Sequence, residues 1–127
     1  MKKLNSEVHK IHEIKDFREL INKSIEKYGN NIAYKFKKNL GKPNQHLVEK
    51  TYKEIQEEVK SFSTALLDLG LQGKRVAIIG NNRYEWCVTY FAVTTGDMIV
   101  VPLDKLLPPV EIENLIRRSG VEAIVYE

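Results

Sequence analysis

Residues 75–104, RVAIIGNNRYEWCVTYFAVTTGDMIVVPLD, carry the pattern that decides the fold. Arg75-Val76-Ala77-Ile78-Ile79 is a continuous β-rich run, as a strand covered on both faces requires. Gly80 punctuates it, and Asn82, with Glu85 three residues on, offers a cap to a helix from about Arg83 through Thr95. That helix is apolar nearly all round, through Trp86, Cys87, Val88, Tyr90, Phe91, Ala92 and Val93, so deep burial is expected, with Trp86 and Cys87 anchoring the core. Gly96 should stop it, and Met98-Ile99-Val100-Val101 reads as a second buried strand.

Downstream, Pro109 opens a helix carrying Ile112, Leu115 and Ile116, Gly120 stops it, and Val121 to Tyr126 reads as a third strand. Strands this short, separated by helices, need crossover connections, so the sheet is parallel. The architecture expected is α/β: an N-terminal helix and β-hairpin, then a β-α-β-α-β parallel Rossmann-like sheet.

The upstream part rests on two capping boxes. Asp16-Phe17-Arg18-Glu19 starts a helix whose Phe17, Leu20, Ile21, Ser24, Ile25 and Tyr28 share one face, with Gly29 as a left-handed stop. Thr51-Tyr52-Lys53-Glu54 starts another, with the stripe Ile55, Val59, Phe62, Leu66 and Leu69 ending at Gly70. Between them, Ile32 to Lys37 alternates with period two, and a turn-rich segment from Asn39 to Gln45 leads to an extended run near Leu47 to Lys50, which predicts a hairpin. Lys37, Lys38 and Lys42 at its tip are read as solvent-facing charges that discourage edge pairing.

A chain of 127 residues holds one hydrophobic core and is too short for two full catalytic domains. The single cysteine, Cys87, excludes an internal disulfide and suits a reducing compartment; with no signal-peptide pattern, cytoplasm is the default. The longest apolar stretch, Trp86 to Leu103, is broken at Gly96-Asp97, which argues against a membrane span. Positive charge is concentrated in residues 1–60, yet without an aromatic-interleaved motif nucleic acid is not the expected partner.

Each polar constellation has a plain structural reading beside the chemical one. A dinucleotide loop needs several glycines; here Gly80 stands alone before two asparagines, so helix capping is favoured over a phosphate grip, although Arg83 and the helix N-terminus suit an anion. Thr94-Thr95-Gly96 reads as a helix end, because no lysine follows it. His9, His12 and Glu13 lack the remaining ligands of a metal site, and His46 is isolated. Asp104-Lys105 follows a parallel strand at its carboxyl end, where α/β folds place ligands, and is the best-positioned polar pair.

The order of Thr51-Tyr52, Gly73-Lys74-Arg75-Val76-Ala77, Asn81 to Trp86 and Val101-Pro102-Leu103-Asp104 resembles the N-terminal part of the AMP-forming acyl-adenylating enzymes, most closely long-chain fatty acid–CoA ligases. The resemblance covers roughly residues 14–127 and implies an incomplete part of that N-terminal domain, with residues 1–15 as an extension and 16–127 as the partial AMP-binding domain. It implies ATP, Mg²⁺ and coenzyme A for the parent enzyme, none bound tightly by this segment, and the remainder of the ligase chain as partner. The family's Ser/Thr/Gly-rich phosphate loop and its Tyr-Gly-x-Thr-Glu motif do not occur, Tyr28-Gly29 being followed by Asn30-Asn31, so no catalytic residue transfers. Asp104 and Lys105 carry over only as contacts in a loop on the coenzyme A side. Two alternatives stand beside this reading: a free-standing α/β interaction module with a basic surface, and a segment of a ligase for aryl or amino acids. Self-association through an exposed sheet edge at Val121 to Tyr126 is a further expectation.

Overall fold

The computed structural model describes residues 13–127. The elements run α1 (Phe17–Tyr28), β1 (Ile32–Lys38), β2 (His46–Thr51), α2 (Tyr52–Asp68), β3 (Arg75–Ile79), α3 (Tyr84–Thr95), β4 (Ile99–Leu103), α4 (Pro109–Ser119) and β5 (Ala123–Tyr126). β1 and β2 form an antiparallel hairpin; β4, β3 and β5 form a parallel sheet in that order, with β3 central. The α/β class and the parallel pairing are those the strand pattern predicts.

Local sequence signals account for most boundaries. Thr51 closes a reciprocal box at the start of α2: its Oγ1 accepts from the Glu54 N–H at 3.2 Å, and Glu54 Oε2 accepts from the Thr51 N–H at 2.8 Å. Gly70 (φ 77°) and Gly120 (φ 63°) take the left-handed conformation beyond α2 and α4. Pro109 fills the first position of α4, where its missing N–H costs no intrahelical bond.

Other boundaries depart from expectation. Asp16 accepts from the Glu19 N–H at 2.7 Å, but the Glu19 carboxylate reaches past it to the Lys15 N–H, also at 2.7 Å, so that box is only half closed. Gly29 is no left-handed stop: at φ −46° it continues the helical conformation and donates to Ile25 O at 2.8 Å. α3 ends as expected at Thr95, yet the residue with positive φ is Asp97 (61°), not Gly96. Gly96 is required for space, because a Cβ there would lie 2.2 Å from Ser63 Oγ and 2.6 Å from Met98 Cε.

The core lies where α2 and α3 meet, between the hairpin on one side and the parallel sheet on the other. Val59, Tyr84, Val88 and Ala92 are buried with Tyr34 and Phe36 packed on them; Leu66, Val76, Val93 and Met98 are buried with Val100, Ala123 and Val125 beside them. Phe62 touches both clusters and joins them. The α2 stripe holds through Leu66, but Leu69 is 75% exposed, because the helix ends at Asp68 and the next residue leaves its periodicity. α3 is buried through Tyr84, Val88, Thr89, Ala92 and Val93, whereas Trp86 and Cys87, expected to anchor the core, are only half-buried.

Candidate functional site

Parallel pairing sends the carboxyl ends of β3, β4 and β5 to one edge of the sheet, so the loops that follow them converge there. The loop after β3 supplies Asn81 and Arg83, the loop after β4 supplies Asp104 and Lys105, and β5 runs on into Glu127. A cleft of about 300 Å³ opens at this edge, lined among others by Gly80, Asn81, Arg83, Trp86, Tyr126 and Glu127.

The Glu127 carboxylate meets the loop that leads from β3 into α3. Its Oε2 accepts from the Asn81 backbone N–H at 3.2 Å and from Asn81 Nδ2 at 3.1 Å, while Oε1 pairs with Arg83 Nη1 at 2.5 Å. The Asn81 side-chain donor, followed by its backbone N–H, holds the Glu127 carboxyl below the usual carboxylate range, and the charges of Arg83 and Lys105 add to the effect. The chain thus supplies its own anion to the Asn81 and Arg83 donors of the loop that leads into α3.

Asn82 is not the cap. α3 begins at Tyr84 with Arg83 as its capping residue and no side-chain cap bond. Gly80 needs no special backbone: a Cβ there would make ordinary contacts, the nearest 3.5 Å from Glu127 Cβ. The stretch therefore turns on a position that other small residues can occupy.

Asp104 and Lys105 are both exposed, and the structure separates their tasks. Asp104 Oδ1 accepts from the Leu106 N–H at 2.9 Å and shapes its own turn. Lys105 reaches back across the edge, its Nζ donating to Asn81 Oδ1. Asn81 thus ties the β4 loop to the end of β5, a role the sequence did not single out; only its place directly after a buried strand and a glycine hinted at it.

Of the remaining candidates, His9 and His12 lie outside the described residues. His46 Nδ1 lies 3.0 Å from Asn44 O within its own turn. Thr94 and Thr95 donate their hydroxyls to carbonyls one turn back along α3, and the Thr95 carbonyl accepts from the Arg18 guanidinium, so this triplet closes a helix. Among the described residues no group of three or more His, Cys, Asp or Glu side chains is placed to hold a metal ion.

A nucleotide triphosphate does not fit the start of α3 as it stands. The loop donors of Asn81 and Arg83 beside it are engaged by Glu127, and that loop has one glycine where a phosphate cradle needs several close backbone approaches. At this edge the exposed ammonium of Lys105 is paired with a neutral acceptor, Asn81 Oδ1, whereas Arg83 is paired with Glu127.

A sequence model of the family described as AMP-binding enzyme matches residues 21–127. The chain belongs to the AMP-binding enzyme family. Among its relatives, the long-chain-fatty-acid–CoA ligase of Yersinia pestis is 36% identical over 77 residues, 59% of this chain and 14% of that protein. The mitochondrial medium-chain acyl-CoA ligase ACSF2 of Homo sapiens is 29% identical over 80 residues, 62% of this chain and 13% of that protein. The inhibitor-bound N-terminal domain of FACL13 from Mycobacterium tuberculosis shares the fold with a TM-score of 0.75 at 21% identity, over 89% of this chain and 27% of that one. This AMP-binding chain spans only 13–14% of the length of those two ligases.

Proposed function

We propose that this chain is the first structural portion of an AMP-forming long-chain fatty acid–CoA ligase. In that reaction a fatty carboxylate attacks the α-phosphate of ATP, assisted by Mg²⁺, releasing pyrophosphate and leaving acyl-AMP; the thiol of coenzyme A then displaces AMP. Both steps need oriented donors and cations around the phosphates. The described residues contribute a scaffold for that chemistry: a parallel sheet whose carboxyl edge is braced by Asn81, Glu127 and Lys105. In the complete enzyme, Asp104 and Lys105 stand as contacts on the coenzyme A side, Lys105 meeting an anionic group.

The observation that carries this reading is the family match across residues 21–127, with acyl–CoA ligases among the relatives. One relative is a medium-chain and the other a long-chain ligase, so the acyl length rests on the higher identity to the Yersinia pestis protein. The rest of a ligase chain is the natural partner of this segment. Among the described residues β5 is paired only with β3, and its outer edge supports a second partner, another copy of the chain; a monomer by light scattering at high concentration would remove that idea. Cytoplasm suits the free Cys87, while the human relative is named as mitochondrial. No helix among the described residues is long and apolar enough to cross a membrane.

ATP–pyrophosphate exchange tests the proposal. The chain alone should give no exchange with any acid. A chimera in which it replaces the matching segment of the Yersinia pestis ligase should exchange with long-chain fatty acids in preference to aryl or amino acids. Exchange by the chain alone, or a chimera that prefers aryl acids, overturns it.

A further inference from the structure

The hairpin tip lies apart from the carboxyl edge of the sheet and has a composition of its own. From Phe36 to Val48 the chain carries Lys37, Lys38, Lys42 and His46 and no aspartate or glutamate. Among the described residues none of those three lysines enters an ion pair, whereas Lys35, farther down the same strand, meets Glu49 at 2.6 Å. Two aliphatic side chains stand at the same end, Leu40 at 74% and Leu47 at 58% exposure. Leu47 is opposite Lys37 in register, on the face away from the half-buried Phe36 and Val48.

The turn holds this arrangement open. Asn39 (φ 54°) and Gly41 (φ 76°) flank Leu40 in left-handed conformations, the Lys42 N–H donates to Asn39 O at 3.0 Å, and the Gly41 N–H donates to Gln45 Oε1 at 3.0 Å. Nothing lies within 4 Å of where a Cβ on Gly41 would be, and residues 37–47 are all exposed. A tight turn thus presents leucines and uncompensated cations together, which is an uncommon use of exposed apolar surface.

Unpaired lysines beside exposed leucines complement one kind of surface well: lipid phosphates neutralise the ammonium groups while the aliphatic side chains enter the boundary between headgroups and acyl chains. A nucleic acid would attract the same lysines but offers its phosphates nothing for leucine to bury against. Among the tip residues 37–47 there is no phenylalanine, tyrosine or tryptophan for base stacking, the neighbouring Phe36 is stacked on Tyr84 at 4.8 Å, and the one imidazole, His46, lies 3.0 Å from Asn44 O. We propose that residues 37–47 form a docking surface for an anionic lipid bilayer. This goes beyond the ligase reading and does not depend on it, though it would hold the chain where fatty carboxylates partition.

Co-sedimentation of the whole chain with vesicles of phosphatidylglycerol and phosphatidylcholine in equal parts, compared with phosphatidylcholine alone, tests the assignment. Binding should require the anionic lipid and weaken as ionic strength rises. Replacing all three lysines (Lys37→Ala, Lys38→Ala, Lys42→Ala) should reduce partitioning roughly a hundredfold, at about fivefold for each charge near the surface. The double variant Leu40→Ser, Leu47→Ser keeps the charge and should lose about tenfold on vesicles from the lost apolar burial, with its weak attraction to duplex DNA unchanged. All five side chains are exposed, so the variants should keep the circular dichroism of the parent chain. Failure of the parent chain to bind anionic vesicles at low salt overturns the proposal. Full vesicle binding by the leucine variant does so equally, because it would mark attraction to any polyanion.

Discussion

Asn81 and Glu127, 46 residues apart in sequence, share two hydrogen bonds: the backbone N–H and the side-chain amide of Asn81 both donate to one carboxylate oxygen. Because folding depresses the Glu127 pKa, its contribution to stability is present above the unfolded carboxylate value and is lost as pH falls through the folded one. Glu127→Gln should therefore flatten the acid limb of a stability–pH curve from urea titrations. Asn81→Ala should return the Glu127 carboxyl toward its ordinary titration, followed by NMR; an unchanged titration would show that the Arg83 and Lys105 charges suffice.

Two glycines of similar sequence context should respond oppositely to a methyl group. Gly96→Ala forces contact with Ser63 Oγ, Met98 Cε and the Ala92 carbonyl, and should cost about 1–3 kcal/mol in chemical denaturation. Gly80→Ala meets only ordinary contacts, and its midpoint should stay within about 0.5 kcal/mol of the parent.

Tyr84 joins the hairpin to the helices: its ring stacks on Phe36, and its hydroxyl donates to Glu58 Oε2 at 2.9 Å while Lys50 holds Oε1 at 2.6 Å. Tyr84→Phe should cost about 1 kcal/mol, the usual net value of one hydrogen bond. Burial, followed by the Glu58 contact, pushes the Tyr84 phenol well up, and burial followed by the Cys87 thiol pushes Tyr34 up to about 12. Folded values raised above the unfolded ones mean stability that is full below about pH 10 and drains away as pH rises through the folded values. Ultraviolet titration should show these two phenols ionising late, together with alkaline unfolding.

Thr51→Ala opens the capping box at the start of α2 and should destabilise the chain by about 1 kcal/mol, measured by thermal or urea unfolding. Thr51→Ser keeps the acceptor and should recover most of the loss.

The features legible in sequence are those whose cause is local. The Thr51 box, the Pro109 start and the glycine ends of α2 and α4 need only neighbours within a turn, and the apolar runs announce three strands; β3 is covered on both faces as expected, whereas β4, expected to be buried, exposes Ile99, because it lies at the edge of the sheet. A β-α-β-α-β order then dictates parallel pairing, because strands in series with helical crossovers return in the same direction. Short-range signals failed where two neighbours could do the same task. Glu19 had two N–H groups within reach and took Lys15; Gly29 could stop α1 or prolong it, and prolonged it.

Sequence by itself determined the class of fold, the strand directions and the family, since periodicity, capping and motif order survive without any knowledge of what packs where. Tertiary structure alone decided what happens at the start of α3. The local pattern of Asn82 with Glu85 three residues on points to Asn82 as the cap, yet the residue at that boundary is Arg83 and it is Asn81 that gains partners. The carboxylate of Glu127 arrives only because β5 pairs with β3, and once there it engages Asn81 and Arg83, while Lys105 reaches the same Asn81 from the loop after β4. Long-range pairing creates that electrostatic partner, and no window along the sequence contains it.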